Sequence, residues 1–323
     1  MTDRLLIEES AVNAAAPGAE ALPPADPPPQ APARSQWRDI WRQFRSHRGA
    51  MLALVLFVAI LLFVAVGPLV WTIDPGFVDI RARNQGFNAA HPLGTDQLGR
   101  DMLARLMAGG RVSLAVGLTA MAVALTLGSL IGIGSGYFRR LDAPLMRLTE
   151  LFLALPLLPL LLLMVTLFRE PLGKAMGPAG GTFLLIVGAI GITSWMQTAR
   201  ILRGEVLGLK EREFILAAQS IGTPAPRMIL RHVLPNVISP IVVAATLGIA
   251  TAIITESALS FLGLGFPPDF PTWGRLLYDA VDQMQIYPWR VVLPGLLISL
   301  TVLSVNYIGD GLRDAMDPRI RGR

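Results

Sequence analysis

The 323-residue chain is 53% hydrophobic and only 16% charged, with a mean hydropathy of +0.53. A soluble globular protein carries about 25% charged residues, so this composition excludes an ordinary soluble enzyme and indicates an integral membrane protein. The net charge is +5. The chain has no cysteine, which excludes disulfides, thiol catalysis and cysteine-ligated metals. In a hydrophobic chain, a basic excess is typical of cytoplasmic loops rather than of nucleic-acid binding. The three histidines lie far apart and predict no metal site.

The N-terminal segment differs in composition from the rest of the chain. Residues 1–36 are rich in Ala and Pro, which leave little to bury, so we expect a disordered cytoplasmic arm. In residues 37–48, Trp37, Trp41 and Phe44 follow the i, i+4, i+7 spacing of one helical face. This pattern predicts an amphipathic helix at the membrane interface, although a short elbow packed on the rest of the protein fits it equally well.

Stretches without a charged residue give the number of membrane spans. About 20 apolar residues cross the hydrocarbon core as a helix. Six stretches meet or approach that length, the fifth interrupted only by Glu256: 49–73, 112–138, 151–168, 175–199, the stretch after Arg231, and 291–309. The sequence therefore predicts an all-α integral membrane protein with six transmembrane helices.

The same stretches predict how the chain is divided. A first transmembrane helix over 49–73 and an extracytoplasmic loop over 74–111 precede a core over 112–313, which holds five transmembrane helices and is followed by a tail over 314–323. Lys and Arg are about twice as numerous in the segments that lie inside if the N-terminus is cytoplasmic, which the positive-inside rule favours. We therefore expect both termini, and the long loop 200–236, in the cytoplasm.

The loop 200–236 has the most informative local pattern. Small and apolar residues are predicted to share one face of a short helix in it: Phe214, Leu216, Ala217, Ala218 and Ile221. Gly222, followed by Thr223-Pro224, is predicted to end that helix with a positive φ. A second helix from Pro226 would lead through Leu234-Pro235 into the next span. The pattern indicates either a helix–Gly–helix device that a partner protein approaches closely or a plain amphipathic connector.

The run His91 to Asp101 is predicted to be structural. Its turn-forming and charged residues are Gly94, Asp96, Gly99, Arg100 and Asp101. The glycines permit a tight turn, and the charged residues can pair with one another and cap the following helix. One His and two Asp beside an Arg, with no activated nucleophile, are a poor basis for catalysis.

Two further features lie inside the predicted spans. Glu256, close to Ser260, is the one carboxylate in an apolar stretch, and such acids are costly and often functional. It could line a substrate path, or it could bond a neighbouring helix or a partner subunit. Gly128, Gly132 and Gly136 recur every fourth residue, which predicts close packing of the second span on another helix.

The spacing of Ala217, Ala218, Gly222, Leu234 and Pro235 is similar to the signature loop E-A-A-x-x-x-G-x9-I-x-L-P of inner-membrane permeases of binding-protein-dependent ABC importers. The chain departs from that pattern at Leu216, where the family usually has Glu, and at His232, where it has an aliphatic residue. The lost Glu removes a possible salt bridge to the ATPase without affecting the fold of the loop.

Further segments resemble the C-type permeases of dipeptide and oligopeptide importers. The matching motifs are HPLGTDxxGRD at 91–101, SFLGLG at 260–265, WG at 273–274 and GDGLRDxxDPR from 309. The resemblance covers about residues 37–320 and implies the type I ABC importer permease fold, with a cytoplasmic coupling helix, in the bacterial inner membrane. Because that family often has Glu at the position of Glu256, the structural role is favoured for this residue.

The resemblance also implies partners and a mechanism. A homologous second permease, two ATP-binding subunits and a periplasmic or lipid-anchored substrate-binding protein would complete a peptide importer that works by alternating access. Motion would be coupled through Glu213, Phe214, Leu216, Ala217, Ala218, Ser220, Gly222, Leu234 and Pro235. The chain lacks a GxxxxGK[ST] motif, so ATP and Mg²⁺ are expected on the partner subunits and no cofactor on this chain.

Other functions stay open in the sequence. Permeases of this kind also import nickel chelates, glutathione or opines. A secondary transporter driven by an ion gradient would be expected to show internal repeats, and none is evident here. A membrane-bound enzyme would need a nucleophile and a base, which the motifs do not supply.

Overall fold

The computed structural model describes residues 36–316. The predicted arm over 1–36, apart from Gln36, and the predicted tail from residue 317 onward lie outside the described residues. Within 36–316 the chain is helical and has no strand, with a single isolated bridge between Thr95 and Asp101.

The N-terminal half contains six α-helices and one 3₁₀ turn, Ile80–Ala82. In chain order the helices are α1 Gln36–Ser46, α2 Arg48–Ala65, α3 Gly67–Val70, α4 Met102–Tyr137, α5 Arg139–Ala154 and α6 Leu157–Met176. The C-terminal half has α7 Pro178–Lys210, α8 Glu213–Ser220, α9 Ala225–Met228, a π-helical turn Ile229–Val233, α10 Leu234–Phe261, α11 Trp273–Val281 and α12 Trp289–Met316.

Five helical segments of the described chain are long and apolar enough to cross a membrane. They are Arg48–Val70, Met102–Tyr137, Pro178–Lys210, Ala225–Phe261 and Trp289–Met316. Helices α5 and α6 are long and apolar enough for a sixth span only when the two are taken as one segment, and this segment is bent by 88°. The predicted third stretch, 151–168, therefore contains a sharp bend. The bend lies at Leu155-Pro156, where the residue before proline is extended, because proline disfavours helical geometry at that position.

Helix α4 begins at Met102, whereas the charge-free stretch placed its start at 112 and the preceding loop over 74–111. Two arginines lie in the additional turns. Arg105 contacts Asp96 at 2.5 Å, and Arg111 donates a hydrogen bond of 2.9 Å to the carbonyl of Val64. Because both charges have partners within the protein, they do not end the helix.

Helix α7 likewise continues beyond its predicted end at residue 199, as far as Lys210. Arg203 in this extension pairs with Asp142 of α5, with Nη2 and Oδ2 2.8 Å apart. The first part of the predicted loop 200–236 is therefore helix, and the connection proper begins at Glu211.

Helices α4 and α7 pack closely along the predicted glycine groove. A Cβ atom at Gly128, Gly132 or Gly136 would lie 2.6–2.8 Å from atoms of α7. For Gly132 the obstructing atom is the backbone carbonyl oxygen of Ala199. The prediction of close helix packing in the second span is confirmed.

Helix α1 combines features of both predicted arrangements. Phe44 is buried with Ala50 and Ala315, and the partly buried Ile40 packs against the same cluster. Trp41 is 53% exposed. The packed face therefore contains Ile40 and Phe44, one turn apart, rather than Trp41 and Phe44; the side chain of Trp37 lies outside the described part of the chain.

Candidate functional site

The connection between α7 and α10 begins with α8, which ends as the sequence predicts. Gly222 has φ +79° and donates a hydrogen bond of 2.9 Å to the carbonyl of Gln219. Thr223 donates one of 3.1 Å to the carbonyl of Ala218. These two bonds form a Schellman motif, which satisfies the last carbonyls of the helix and needs a left-handed residue at the position of Gly222.

One face of α8 anchors it to the rest of the chain. Ile215 is fully buried and Ala218 is 7% exposed. Both belong to a hydrophobic cluster with residues near the ends of α7 and α10: Leu202, Val206, Met228, Val233 and Val237. Ile215 and Ala218 therefore pack α8 against the chain segments on either side of the connection.

The opposite face of α8 is exposed and mainly apolar. Ile221, just beyond the helix, is 84% exposed, and Phe214 and Leu216 are 45% and 48% exposed. Glu213, Ala217 and Ser220 are exposed as well. Leu216, which stands where the related loop usually has Glu, therefore adds apolar surface to this face rather than a charge.

The predicted apolar face of α8 is wrong in one respect. Ala217 is exposed, whereas Ala218, about 100° farther round the helix, points into the protein beside Ile215. The sequence analysis also missed Ile215. Its i, i+3 spacing with Ala218 is the signal that could have revealed the anchoring face.

Leu234 and Pro235 lie where the π-helical turn passes into α10. The amide of Leu234 donates to the carbonyl of Ile229, five residues earlier, and Leu234 packs against the cluster that anchors α8. Pro235 is exposed in the first turn of α10, directly after the π-helical turn.

The motif His91 to Asp101 forms a buried turn that begins α4. Asp101 caps the helix, accepting a hydrogen bond of 2.7 Å from the amide of Ala104. The same carboxylate accepts a bond of 3.0 Å from the Trp71 indole and lies 2.8 Å from Nδ1 of His91. Gly94, with φ +73°, supplies the turn.

Asp96 holds the ion cluster beneath that turn. Its carboxylate lies 2.7 Å from Nε of Arg100 and 2.5 Å from Nη1 of Arg105. Burial by itself would raise the pKa of the Asp96 carboxyl, but the guanidinium groups of Arg105 and Arg100 hold that pKa below its ordinary value of 3.8. The predicted pairing of Asp96 with Arg100 is present, whereas Asp101 pairs with His91 instead. The structure therefore gives this motif a packing and capping role.

Glu256 is fully buried between α4, α10 and the start of α11. Its carboxylate accepts hydrogen bonds from the hydroxyls of Ser113, at 3.0 Å, and of Ser260, at 2.7 Å. Ser113 in turn accepts a bond from the amide of Trp273, and Ser260 accepts one from Thr272. Glu256 and Ser260 thus lie in a polar network that joins three helices of this chain.

A cavity lies elsewhere, where the α5–α6 bend faces α4, α7 and α10. It has a volume of about 380 Å³, and its lining includes Met121, Phe152, Leu157, Gln197, Leu247 and Thr251. Glu256 is not among the lining residues. The sequence analysis did not identify this cavity, although the run of polar residues Thr193, Ser194, Gln197 and Thr198 in the apolar stretch 175–199 was a signal for it.

A comparison with protein families decides the identity of the fold. Residues 124–322 match the family described as "Binding-protein-dependent transport system inner membrane component". The chain belongs to this family. Residues 35–89 of the permease additionally match the "N-terminal TM domain of oligopeptide transport permease C".

Curated relatives cover nearly the whole permease. It is 37% identical over 287 residues to the oligopeptide transport system permease protein OppC of Bacillus subtilis, covering 88% of this chain and 90% of that one. Against OppC of Escherichia coli K12 the identity is 39% over 288 residues, with 88% and 92% covered. Against the dipeptide permease DppC of Alkalihalophilus pseudofirmus it is 37% over 286 residues, with 88% and 90% covered.

Solved structures show the same fold. An inward-facing structure of the MetNI methionine ABC transporter aligns with a TM-score of 0.55 at 16% sequence identity, covering 67% of the permease and 98% of that chain. The predicted all-α ABC importer permease fold is therefore confirmed. Membership of the family makes the protein a multi-pass membrane component of a bacterial transport system, with a binding protein and an ATPase among its partners.

Proposed function

We propose that this permease is one membrane subunit of an ATP-driven importer of dipeptides and oligopeptides in the bacterial inner membrane. The proposal is supported by its 37–39% identity, over 88% of the chain, to permeases named for those substrates. Nickel chelates, glutathione and opines are the competing substrates. Mass spectrometry of the ligand that co-purifies with the binding protein separates them.

The assembly would contain four kinds of subunit. A homologous second permease would pair with this one, two ATP-binding subunits would hold ATP and Mg²⁺, and a periplasmic or lipid-anchored protein would deliver substrate. The sequence has no loop of the GxxxxGK[ST] type to cradle ATP phosphates. In this arrangement the chain itself contributes no catalytic residue.

The exposed face of α8 carries the coupling proposal. Phe214, Leu216 and Ile221 are exposed apolar side chains that a partner can contact, while Ile215 and Ala218 are packed in a cluster with residues of α7 and of the segment leading into α10. Docking of an ATPase on this surface would place α8 in the cytoplasm, with both chain termini on the same side. Nucleotide binding would then bias the permease by its differential affinity for the inward-open and outward-open states.

The test uses Ile221→Asp, with Ile80→Asp as a matched control. Both isoleucines are more than two-thirds exposed, at 84% and 71%, but Ile80 lies in the loop between α3 and α4. An unpaired charge in an apolar contact is costly, so Ile221→Asp should lose the co-purifying ATPases and ATP-dependent peptide uptake, while its amount in the membrane is unchanged. Ile80→Asp should keep both.

Two results would count against the proposal. Normal ATPase docking by Ile221→Asp would mean that α8 is only a connector. Failure of the wild-type complex, supplied with ATP and binding protein in proteoliposomes, to accumulate any labelled peptide would remove the peptide assignment.

A further inference from the structure

The cavity at the α5–α6 bend has a wall of unusual chemistry. Its apolar residues come from α4, the α5–α6 bend, α10 and, with Met196 and Ile201, α7, whereas its polar residues come mostly from one stretch of α7. The polar lining residues are Thr193, Ser194, Gln197, Thr198 and Thr251. None of the residues that line the cavity is charged. A volume of about 380 Å³ is within the range of sites that hold small molecules, roughly 300–1,000 Å³.

Two of the polar groups are already engaged within their own helices. The hydroxyl of Thr193 donates a hydrogen bond of 2.8 Å to the carbonyl of Ala189. The hydroxyl of Thr251 donates one of 3.0 Å to the carbonyl of Leu247. The side chains of Ser194, Gln197 and Thr198 form no hydrogen bond within residues 36–316. Gln197 is the exposed one of the three, and its amide offers both donors and an acceptor. A polar side chain in a membrane-spanning stretch characteristically faces a protein partner or a water-filled path.

The chemistry of a glutamine amide indicates its ligand. It offers N–H donors and a carbonyl acceptor, the complement of the C=O and N–H of a peptide group. Such a contact is independent of the side chains of the ligand. An uncharged cavity wall also neither attracts nor repels a charged side chain, whereas its leucine, methionine and phenylalanine residues accept apolar ones.

We propose that Gln197 contacts the backbone of the translocated peptide, and that this wall of the path does not select for the charge of the peptide side chains. The inference rests on the proposed function, because it takes a peptide as the substrate. One neutral hydrogen bond changes an equilibrium by a factor of about five to ten. The contact is therefore weak enough for the peptide to leave, which a transport path requires.

The test measures uptake by the whole complex in proteoliposomes, with ATP and binding protein saturated by each substrate. The substrates are three tripeptides of equal length that differ only in a central Ala, Lys or Asp. The variants are Gln197→Leu, which removes the amide, and Gln197→Glu, which adds a charge at nearly constant shape. Thr166→Val is the control, since Thr166 lies outside the cavity and its hydroxyl is already bonded to the carbonyl of Leu162 within α6.

For the wild type we expect similar uptake of the three peptides. Gln197→Leu should slow all three by about five- to tenfold, the factor expected for one hydrogen bond. Gln197→Glu should raise the ratio of Lys-peptide to Asp-peptide uptake at least fivefold, and Thr166→Val should change neither rate nor ratio. If Gln197→Leu prevents assembly of the complex, the ratio measured with Gln197→Glu decides.

Each contrary result has one meaning. Unchanged rates in Gln197→Leu, or an unchanged charge ratio in Gln197→Glu, would overturn the assignment of Gln197 while leaving peptide import intact. A wild-type complex that transports no tripeptide but transports another substrate of its binding protein would instead overturn the proposed function.

Discussion

Ser113 on α4 donates a hydrogen bond of 3.0 Å to Glu256 on α10, although the two residues are 143 positions apart in the sequence. Ser260 donates to the other oxygen of the same carboxylate, at 2.7 Å. Because a polar group in a buried site is stable only when it is paired, this network fixes the relative position of the two helices. Glu256 is therefore explained by its neighbours, without a substrate.

The first prediction separates the hydrogen bonds of Glu256 from its charge. Glu256→Gln keeps the shape and can still bond Ser113 and Ser260 once their hydroxyls rotate, so its thermal unfolding temperature should change little. Glu256→Ala leaves a cavity and unpaired hydroxyls, so we expect it to lower the free energy of unfolding by about 2–5 kcal/mol. Thermal unfolding of the purified permease pair in detergent measures both. A large loss in Glu256→Gln with normal assembly would point to a role for the charge itself.

The second prediction concerns the end of α8. A Cβ atom at Gly222 would meet no atom within 4 Å, so any effect of substitution there comes from its φ of +79°. Gly222→Val should strain the turn by about 1–3 kcal/mol and weaken ATPase docking, whereas Gly222→Asn should be tolerated, because asparagine adopts left-handed geometry more readily. Co-purification of the ATPases with each variant is the measurement, and equal docking by both would contradict the backbone argument.

Local features of this fold could be predicted from the sequence because they depend on neighbouring residues. Gly222 ends α8 through its own backbone freedom, Asp101 caps α4 through a side chain three residues before the amide it bonds, and the glycines from Gly128 form their groove by helical spacing alone. Each of these needs only a few consecutive residues, and each is present in the structure.

Features that depend on distant partners could not be predicted in the same way. The start of α4 at Met102 requires Asp96 to neutralise Arg105, and a count of charge-free residues does not include that pairing. The direction in which Ala218 points is set by α7 and α10. The cavity that exposes Gln197 exists only when α4, α7, α10 and the α5–α6 bend are assembled.

The third prediction concerns the buried ion cluster. Asp96→Asn removes the carboxylate 2.5 Å from Arg105, which is 1% exposed, and leaves that arginine, within residues 36–316, only Asp279, at 3.4 Å. Breaking a buried pair costs up to about 3–5 kcal/mol. The matched control is Glu170→Gln, whose pair with Lys174 lies at the surface with both side chains at least 75% exposed and should matter little. Chemical denaturation of the permease pair compares them, and similar losses in the two variants would contradict the assigned burial.

The pH dependence of the same cluster follows from the lowered pKa of Asp96. Because the folded pKa lies below the ordinary 3.8, the pairing of Asp96 stabilises the fold above that pH, and this stability is lost as the pH falls through the folded pKa. The difference in unfolding free energy between wild type and Asp96→Asn should therefore shrink below about pH 4. A difference that grows in acid would have the wrong sign.

The fourth prediction compares two glycines in spanning helices. Gly132→Ala would place a Cβ 2.6 Å from the carbonyl of Ala199, and such overpacking should cost about 1–3 kcal/mol. At Gly188 of α7 a Cβ has no neighbour within 4 Å, so Gly188→Ala should be neutral or slightly stabilising. Unfolding temperatures of the two variants give the comparison. A stable Gly132→Ala would mean that α4 and α7 are farther apart than described.

The last prediction concerns the orientation of the chain in the membrane. The protein has no cysteine of its own, so single cysteines placed at Ser220 and Gln85, both exposed, can be labelled without background. If α8 meets the ATPases, an impermeant maleimide should label Ser220→Cys only in inside-out vesicles and Gln85→Cys only in intact cells. Gln85 precedes α4 and Ser220 follows α7. Labelling from opposite sides therefore requires an odd number of membrane crossings between the two residues. Helix α4, the bent pair α5–α6 and α7 provide three crossings only if the bent pair passes through the membrane as one span. Labelling of both cysteines from the same side would show that α5 and α6 form a re-entrant loop, which would leave five spans and place the two chain ends on opposite sides.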